Sequence, residues 1–297
     1  MNQKNLKSKI YPTYFAFGAL ALYLLLYVIP SLAGVVLSFT DWNQYRDIST
    51  LTFVGLKNYR TIFSPTENYL KFISNTFMFT IMTTIFKTIF GLGLALLLDS
   101  QIKKRNWHRA LAFFPSIISM IVIGLTFRSI LNPQYGILNN FLRGIGLGAL
   151  SQAWLGDLKW VFPSVMAVDV WKGMGYIMTI LLAGLQLIPK EYYESSAIDG
   201  ATSWRKFQQI TFPLLLPTIM VTTVLNVLYG LRVFDIIYVL TKGGPGNATA
   251  VVFTEVFDRF GWGDYAVGTT LSTVMLIFTA TVGFFMVKIL NPKEVEL

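Results

Sequence analysis

Residues 10–40 form one continuous stretch without a charged side chain. About 20 consecutive apolar residues are enough for a helix to cross the hydrocarbon core of a bilayer. Comparable runs recur along the chain, of which 54% is hydrophobic and 13% is charged. Because the first run is long and lacks a clear small-residue cleavage site, we interpret it as a retained span rather than a removable leader. The sequence therefore predicts a polytopic protein embedded in membrane lipid.

Six apolar segments are long enough to cross a membrane. We expect helices, because unpaired backbone groups are costly in hydrocarbon and the segments lack the alternation of β-barrel strands. The predicted spans are residues 13–40, 72–98, 110–127, 161–188, 207–231 and 265–287. Their interior prolines Pro30, Pro115, Pro213 and Pro217 predict kinks rather than breaks. The predicted fold class is an all-α membrane protein with six transmembrane helices, in a single domain over residues 1–297.

Basic residues mark alternate connections between these segments. Cytoplasmic connections of membrane proteins carry an excess of lysine and arginine. The basic residues of the two tails and the short second connection are Lys4, Lys7, Lys9, Lys103, Lys104, Arg105, Arg109, Lys288 and Lys293. The first, third and fifth connections are nearly balanced in charge, so we place them outside. Both termini are then predicted to be cytoplasmic.

Residue usage excludes several chemistries. The chain has no cysteine and one histidine, His108, and so offers no thiolate nucleophile and no Cys/His metal cluster. Its net charge of +9 is spread over short segments, which argues against a nucleic-acid surface. No phosphate-binding loop of the form G-x-x-x-x-G-K-S/T is found, so ATP would be handled by another chain. We therefore expect no catalytic residues, no metal and no cofactor here.

Residues 189–206 predict a helix, a glycine turn and a second helix. Pro189 stands at the start of the first helix, acidic residues fall in its first turns, and Gly200 is a typical stop. Thr202 or Ser203 can cap the second helix, which leads into the fifth span. On these features alone, an ordinary connection lying on the membrane surface is the simpler interpretation. We call this segment the elbow.

The residue order in the elbow resembles a known motif. Residues 194–201 read E-S-S-A-I-D-G-A and are followed by Ile210 and Pro213. They resemble the E-A-A-x-x-D-G-A motif, with its trailing I-x-x-P, of ABC importer permeases, and serines replace the two alanines. Segments similar to the maltose, oligosaccharide and glycerol-phosphate branch lie at residues 39–42, 53–59, 154–157, 171–176 and 182–186. Residues 234–247 resemble the first of the two permeases that such importers pair.

This resemblance implies a type I ABC importer permease in the cytoplasmic membrane of a bacterium. The implied partners are a second homologous permease, two ATP-binding subunits, an extracytoplasmic solute-binding protein and a carbohydrate-like solute. The elbow would be a coupling helix that docks on an ATP-binding subunit. Its candidate coupling residues are Glu191, Glu194, Ser195, Ser196, Asp199, Gly200 and Ala201.

Lys87, Asp169 and Lys172 lie inside apolar segments. Ionisable residues are costly in a membrane and by default indicate a functional role. Asp169 and Lys172 are three apart on a helix, so they either neutralise each other or contact solute. Lys87 lies near the middle of the second span and needs an acidic partner, a carbonyl or water, which the sequence does not identify.

Asn226, Tyr229, Gly230 and Val233 form a stripe at helical spacing in the fifth segment. The stripe serves either close helix packing, through its glycine, or solute contact, because sugars stack on aromatic rings and bind amides. In the family that this chain resembles, solute contacts come from matching parts of spans four and five. The substrate-path candidates are therefore Lys172, Gly173, Tyr176, Asn226, Tyr229 and Gly230.

The leading functional hypothesis is the permease subunit of a binding-protein-dependent ABC importer for a sugar or sugar-like solute. The alternative is an ion-coupled secondary transporter, which favours a relay of membrane carboxylates, whereas Asp169 is the sole acidic residue within the predicted spans. A membrane enzyme ranks third, because no nucleophile–base pair can be placed on one face. Oligosaccharides, monosaccharide derivatives and glycerol phosphates all stay open as substrates.

The predicted topology can be tested with a reporter enzyme that is active only outside the cytoplasm. Fusions after Arg105 or Lys293 should be silent, and a fusion within residues 136–154 should be active, because basic connections stay inside. Reporter activity is compared at equal amounts of fusion protein. Strong activity from the Lys293 fusion would overturn the arrangement with six spans and both ends inside.

Overall fold

The computed structural model describes residues 14–65, 68–100 and 103–290. Regular structure within these ranges is helical, apart from an isolated antiparallel bridge between Thr40 and Phe53. Some residues of the sequence analysis lie outside the described ranges: Lys4, Lys7, Lys9, Thr13 and Lys293.

The chain folds into two compact units. One comprises residues 1–67 and 256–276, and the other comprises residues 68–255 and 277–297. The sequence-based assignment of a single domain stays a prediction.

The first unit begins with a helical span that passes through Pro30. Its parts are α1 (Tyr14–Tyr23), a π-helical turn (Leu24–Val28) and α2 (Ile29–Leu37). Pro30 has no N–H, so a carbonyl one turn earlier loses its usual donor, and a wide π turn at this point absorbs the irregularity. The span therefore continues through the proline, as predicted.

The connection after α2 folds back onto the end of that helix. It contains a 3-10 turn (Ile48–Thr50) and α3 (Lys57–Ile62). The Asn58 amide donates to the carbonyls of Ser38 at 2.9 Å and Thr40 at 2.8 Å. The hydroxyls of Ser38 and Tyr59 are 2.6 Å apart. These hydrogen bonds provide donors for backbone carbonyls just beyond the end of the helix, where no helical donor is available.

The second unit contains the other described helices, although two of them belong partly to the first unit. In chain order they are α4 (Tyr69–Asp99), α5 (Arg105–Ile117), α6 (Met120–Ile130), α7 (Ile137–Gly144), a 3-10 turn (Gly148–Leu150), α8 (Val161–Gln186), α9 (Lys190–Ile198), α10 (Ser203–Lys206), a π-helical turn (Phe207–Thr211), α11 (Phe212–Gly230), α12 (Asp235–Leu240), α13 (Val252–Gly261) and α14 (Tyr265–Leu290). Residues of α13 and α14 are shared between the units.

Five helical runs of the described chain are long and apolar enough to cross a membrane: Phe17–Leu37, Tyr69–Asp99, Val161–Gln186, Ser203–Gly230 and Tyr265–Ile289. They correspond to five of the six predicted spans. The sixth is the pair α5 and α6, which meets the same criteria only when both helices are taken together and which is bent by 96°.

The third predicted span, residues 110–127, is therefore broken rather than kinked, and this part of the prediction was wrong. The helix passes through Pro115, but Ile118 and Ser119 are extended, with ψ angles of 138° and 139°. Elsewhere the predicted tolerance of proline holds. Pro217 lies inside the continuous helix α11, and Pro213 lies in its first turn, just after the π turn that leads into it.

Close approach of α4 and α8 depends on small residues. A Cβ atom added at Gly91 of α4 would lie 2.9 Å from Cγ2 of Ile177 and 3.2 Å from the backbone nitrogen of Met178. The buried face of α4 also carries Thr76, Thr80 and Thr83, whose hydroxyls donate to carbonyls one turn earlier in the same helix. These three hydroxyls are thus satisfied within the helix, as hydrocarbon requires, whereas the hydroxyls of Thr84 and Thr88 have no hydrogen-bond partner among the described residues.

Replacing Gly91 with alanine should destabilise the protein, because the added methyl group overlaps α8. Overpacking of this kind costs about 1–3 kcal/mol. The matched control is Gly93→Ala on the same helix, where no heavy atom lies within 4 Å of the added Cβ. We expect a lower thermal midpoint for Gly91→Ala and an unchanged or raised one for Gly93→Ala, measured on detergent-purified protein. Equal midpoints for the two variants would contradict the close packing.

Candidate functional site

The middle of α8 carries a polar layer between two clusters of buried apolar side chains. The first cluster includes Val165 and Val168 of α8 together with Phe79 of α4. The second includes Ile177 of α8 together with Ala95 of α4. Asp169, Lys172, Gly173 and Tyr176 fall between the two clusters, and so does Lys87 on α4. The ionisable side chains in the interiors of α4 and α8 therefore lie in one narrow layer.

A cavity of about 240 Å³ opens at this layer. Helices α4, α5, α6, α8 and α11 contribute to its wall. The residues that line it are Lys87, Phe113, Ser116, Met120, Asp169, Lys172, Gly173, Tyr176, Leu225, Asn226 and Tyr229. The lining combines two ammonium groups, one carboxylate, one amide and two phenols with apolar side chains, which is the composition of a pocket for a polar organic solute.

An ion pair links α4 and α8 at the back of this cavity. Lys87 Nζ lies 2.6 Å from Asp169 Oδ2, and the two side chains are only 4% and 2% exposed. The Tyr229 hydroxyl of α11 donates to Asp169 Oδ1 at 2.9 Å. The Lys87 ammonium also lies 4.4 Å from the centroid of the Tyr229 ring. The three helices are therefore joined through one carboxylate whose two oxygens are both engaged.

Gly173 makes room for this pair. A Cβ atom at this position would lie 2.6 Å from Cε and 3.0 Å from Cδ of Lys87. The absent side chain lets the lysine stem pass across α8 to reach Asp169. The structural role of Gly173 is therefore to admit the lysine stem.

Among the described residues, Asp169 forms its direct ion pair with Lys87 and not with Lys172. The Lys172 ammonium instead donates to the Ser116 carbonyl at 3.3 Å, and the Ser116 hydroxyl donates to the Lys172 carbonyl at 2.8 Å. In an unbroken helix, the Ser116 carbonyl would accept from the N–H of Met120. The break at residues 118–119 leaves that carbonyl without its helical donor, and the lysine ammonium from α8 donates to it instead.

The elbow has the predicted helix–glycine–helix form. Helix α9 ends in a Schellman arrangement, in which the N–H of Ala201 donates to the Ser196 carbonyl at 2.9 Å and that of Gly200 to the Ala197 carbonyl at 3.1 Å. Gly200 has φ of +71°, the left-handed region that glycine adopts without steric cost. The Thr202 hydroxyl caps α10 by accepting from the N–H of Arg205 at 3.3 Å.

The candidate coupling residues of the elbow differ in their surroundings. Ser196 and Ala201 are half-buried, and the Ser196 hydroxyl donates to the Tyr193 carbonyl at 2.8 Å. The exposed members are Glu191, Glu194, Ser195, Asp199 and Gly200. Two large apolar side chains beside them also face outward, with Ile198 exposed by 88% and Trp204 by 65%. The elbow thus presents a mixed acidic and apolar surface.

Comparison with known proteins identifies the family of this chain. A family model described as the binding-protein-dependent transport system inner membrane component matches residues 87–295. The chain belongs to this family. It is a transport permease of the membrane rather than an enzyme, as the sequence predicted.

Relatives extend the match over most of the permease. The trehalose/maltose transport system permease protein MalF of Thermococcus litoralis is 37% identical over 255 residues, 84% of this chain and 85% of that protein. The probable ABC transporter permease protein YurN of Bacillus subtilis is 34% identical over 299 residues, 98% of this chain and 99% of that protein.

A solved structure shares the fold of the permease. It is the crystal structure of a bacterial ABC transporter involved in the import of the acidic polysaccharide alginate. A chain of that structure matches with a TM-score of 0.80 at 23% identity, over 98% of this chain and 99% of that chain. The predicted all-α fold of an ABC importer permease is confirmed.

The residues of the stripe on α11 of the permease lie in different surroundings. Asn226 and Tyr229 line the cavity. Gly230 instead packs against α4, where an added Cβ would lie 2.8 Å from Cα of Thr80. Val233 lies beyond the end of α11 and belongs to the first apolar cluster. Of the six substrate-path candidates, all but Gly230 therefore lie at the cavity wall.

Sequence reasoning left three polar wall residues out of the candidate set: Lys87, Asp169 and Ser116. The signal for the first two was present, since both are ionisable residues inside apolar segments. Ser116 carried no such signal, because its place at the wall follows from the break after α5. The apolar wall residues Phe113, Met120 and Leu225 do not differ in type from the rest of their helices.

Proposed function

We propose that this permease carries a carbohydrate-like solute through the cavity described above. The observation that carries the proposal is the side chain of Asn226, which is 6% exposed and whose Nδ2 has no hydrogen-bond partner among the described residues. This buried donor stands in a wall that also presents the rings of Tyr176 and Tyr229. Sugars need this combination, since their C–H faces stack on aromatic rings while their hydroxyls bind amides.

The relatives support this substrate class. One is named for trehalose and maltose, and the structural neighbour takes part in alginate import. All three solutes are carbohydrates: trehalose and maltose are neutral, and alginate is acidic. The proposal is therefore made for sugars and sugar-like solutes as a class, translocated into the cytoplasm.

The size of the cavity supports a second homologous permease as partner. Pockets for small molecules usually measure about 300–1,000 Å³. The 240 Å³ bounded by this chain falls below that range. Tyr176 is exposed by 47% and Tyr229 by 40%, so their free faces are available to a path shared with another subunit. We therefore assign half of the path to this chain.

The elbow supports the assignment of ATP hydrolysis to two separate ATP-binding subunits. This chain has no phosphate-binding loop of the usual form. The elbow combines exposed carboxylates at Glu191 and Glu194 with the exposed apolar side chains of Ile198 and Trp204. An apolar centre with a charged rim is typical of a protein–protein interface. An extracytoplasmic solute-binding protein completes the proposed assembly, with both termini of this chain in the cytoplasm.

An ion-coupled secondary transporter is disfavoured by the state of Asp169. Among the described spans, this is the one carboxylate away from a helix end. A proton relay needs carboxylates that can gain and lose protons during transport. Both oxygens of Asp169 are instead engaged, one by the Lys87 ammonium and one by the Tyr229 hydroxyl.

Replacing Tyr229 or Asn226 with alanine should reduce uptake without preventing assembly. Loss of an aromatic contact is worth about 1 kcal/mol, or roughly a fivefold weaker interaction. Uptake of radiolabelled maltose, trehalose and raffinose is measured in cells that express the complete importer, with complex amounts checked by immunoblot. Val221→Ala is the control, because this exposed residue of α11 lies outside the cavity wall. Unchanged kinetics in both test variants would place these residues in helix packing or lipid contact.

Gly200→Val and Glu194→Lys should insert normally but lose coupling to ATP hydrolysis. No heavy atom lies within 4 Å of a Cβ at Gly200, so valine would act through the backbone conformation and not through a clash. The matched control is Gly200→Asn, because asparagine tolerates the left-handed region. Co-purification of the ATP-binding subunits and solute-stimulated ATP hydrolysis are measured in the reconstituted complex. Full stimulation in Gly200→Val and Glu194→Lys would refute the coupling assignment.

A further inference from the structure

Tyr229 is held from two directions at the cavity wall. Its hydroxyl donates to Asp169 Oδ1 at 2.9 Å, and the Lys87 ammonium lies 4.4 Å from its ring centroid. A tyrosine side chain has only two rotatable bonds before its hydroxyl, so a fixed hydroxyl and a fixed ring face determine its orientation. The residue as a whole is 40% exposed and lines the cavity. The held ring is thus available to a solute.

Lys87 and Asp169 belong to the cavity wall, but their side chains are almost fully buried and paired with each other. Their side chains are 4% and 2% exposed, and Nζ and Oδ2 are 2.6 Å apart. Asp169 has its second oxygen bound to Tyr229, which leaves this carboxylate committed to protein groups. The polar atoms of the pair are thus occupied by protein groups, and Tyr229 is an exposed wall residue that contacts both Asp169 and Lys87.

We propose that the Lys87–Asp169 ion pair is a positioning device that sets the solute affinity of the cavity by fixing the orientation of Tyr229. The proposal rests on the proposed function, in which Tyr229 contacts a carbohydrate-like solute. Lys87 and Asp169 are positioning residues in this scheme, since they act through Tyr229. Gly173 belongs to the same device, because a side chain there would displace the lysine stem.

The competing explanation is that the pair only joins α4, α8 and α11. Removing one partner cannot separate the two explanations, because it leaves a buried charge uncompensated and endangers folding. Two double variants do separate them. Lys87→Met with Asp169→Leu removes both charges and the acceptor of the Tyr229 hydroxyl. Lys87→Met with Asp169→Asn removes both charges but keeps a carbonyl oxygen that can accept from Tyr229.

The experiment uses the complete importer, reconstituted in proteoliposomes, with fluorotyrosine incorporated at position 229. Fluorine NMR of wild-type protein should give one narrow resonance, because the ring is held in one orientation. We expect several or broadened resonances for Lys87→Met with Asp169→Leu, and a single resonance for Lys87→Met with Asp169→Asn. This measurement needs no knowledge of the solute. One narrow wild-type-like resonance in the leucine double variant would overturn the proposal.

Uptake kinetics provide the second readout, with radiolabelled maltose, trehalose and raffinose as probes. The leucine double variant should raise the half-saturating concentration about tenfold, with a maximal rate within about twofold of wild type, since weakened binding alone alters the former. The asparagine double variant should stay within about threefold of wild type. Adding Tyr229→Phe to the leucine double variant should have little further effect, because the hydroxyl has already lost its partner.

The outcomes distinguish failure of this inference from failure of the proposed function. If Tyr229→Ala impairs uptake while the leucine double variant has wild-type kinetics, the solute cavity stands and the positioning role is refuted. If Tyr229→Ala leaves uptake unchanged, the solute role of Tyr229 is refuted, and the affinity part of this proposal with it.

Discussion

The ion pair between Lys87 and Asp169 is the interaction around which the polar layer of this permease is built. A buried charge without a partner is strongly destabilising, typically by about 3–5 kcal/mol, so each residue requires the other. Their contact sets how α4 and α8 lie against each other, and Gly173 is small because the lysine stem passes over it. Tyr229 then joins α11 to the same carboxylate. Apolar clusters flank this layer on both sides, so the ionisable side chains are grouped within it.

The break in the third span follows the same constraint. Irregular backbone is tolerated at membrane depth where it is buried in protein or lines a cavity, because its carbonyls then find donors other than lipid. Here the carbonyl of Ser116 is bound by Lys172 from α8, and the Ser116 hydroxyl returns a bond to the Lys172 carbonyl. These two hydrogen bonds thus satisfy polar groups of both the broken helix and α8, and Ser116 and Lys172 both lie at the cavity wall. A second lysine is accommodated in the layer without a second carboxylate.

The parts of the structure that sequence reasoning predicted are those governed by local rules. Span length follows from apolar runs, and the elbow follows from a glycine stop at Gly200 and a threonine cap at Thr202. The partner of Lys87 could not be predicted, because the choice depends on which faces of α4 and α8 meet. The break after Pro115 was missed for a related reason, since proline alone permits either a kink or a break. Gly230 was assigned to the solute path because helical spacing alone does not show which of two neighbouring residues lines the cavity and which packs against α4.

Helices α8 and α11 connect the cavity wall to the two ends of the elbow. This connection limits how the elbow can move relative to the cavity. Between Tyr176 and the end of α8 the helix contains no proline, and its ten residues span about 15 Å. At its lower end, α9 follows after three residues, and the Tyr193 hydroxyl lies 3.0 Å from that of Thr211, just before α11. Densely packed helices shift as bodies and do not stretch. A displacement of the elbow is therefore transmitted to the cavity wall along α8, whereas α11 has two points at which it can bend before Tyr229, the π turn before its start and Pro217.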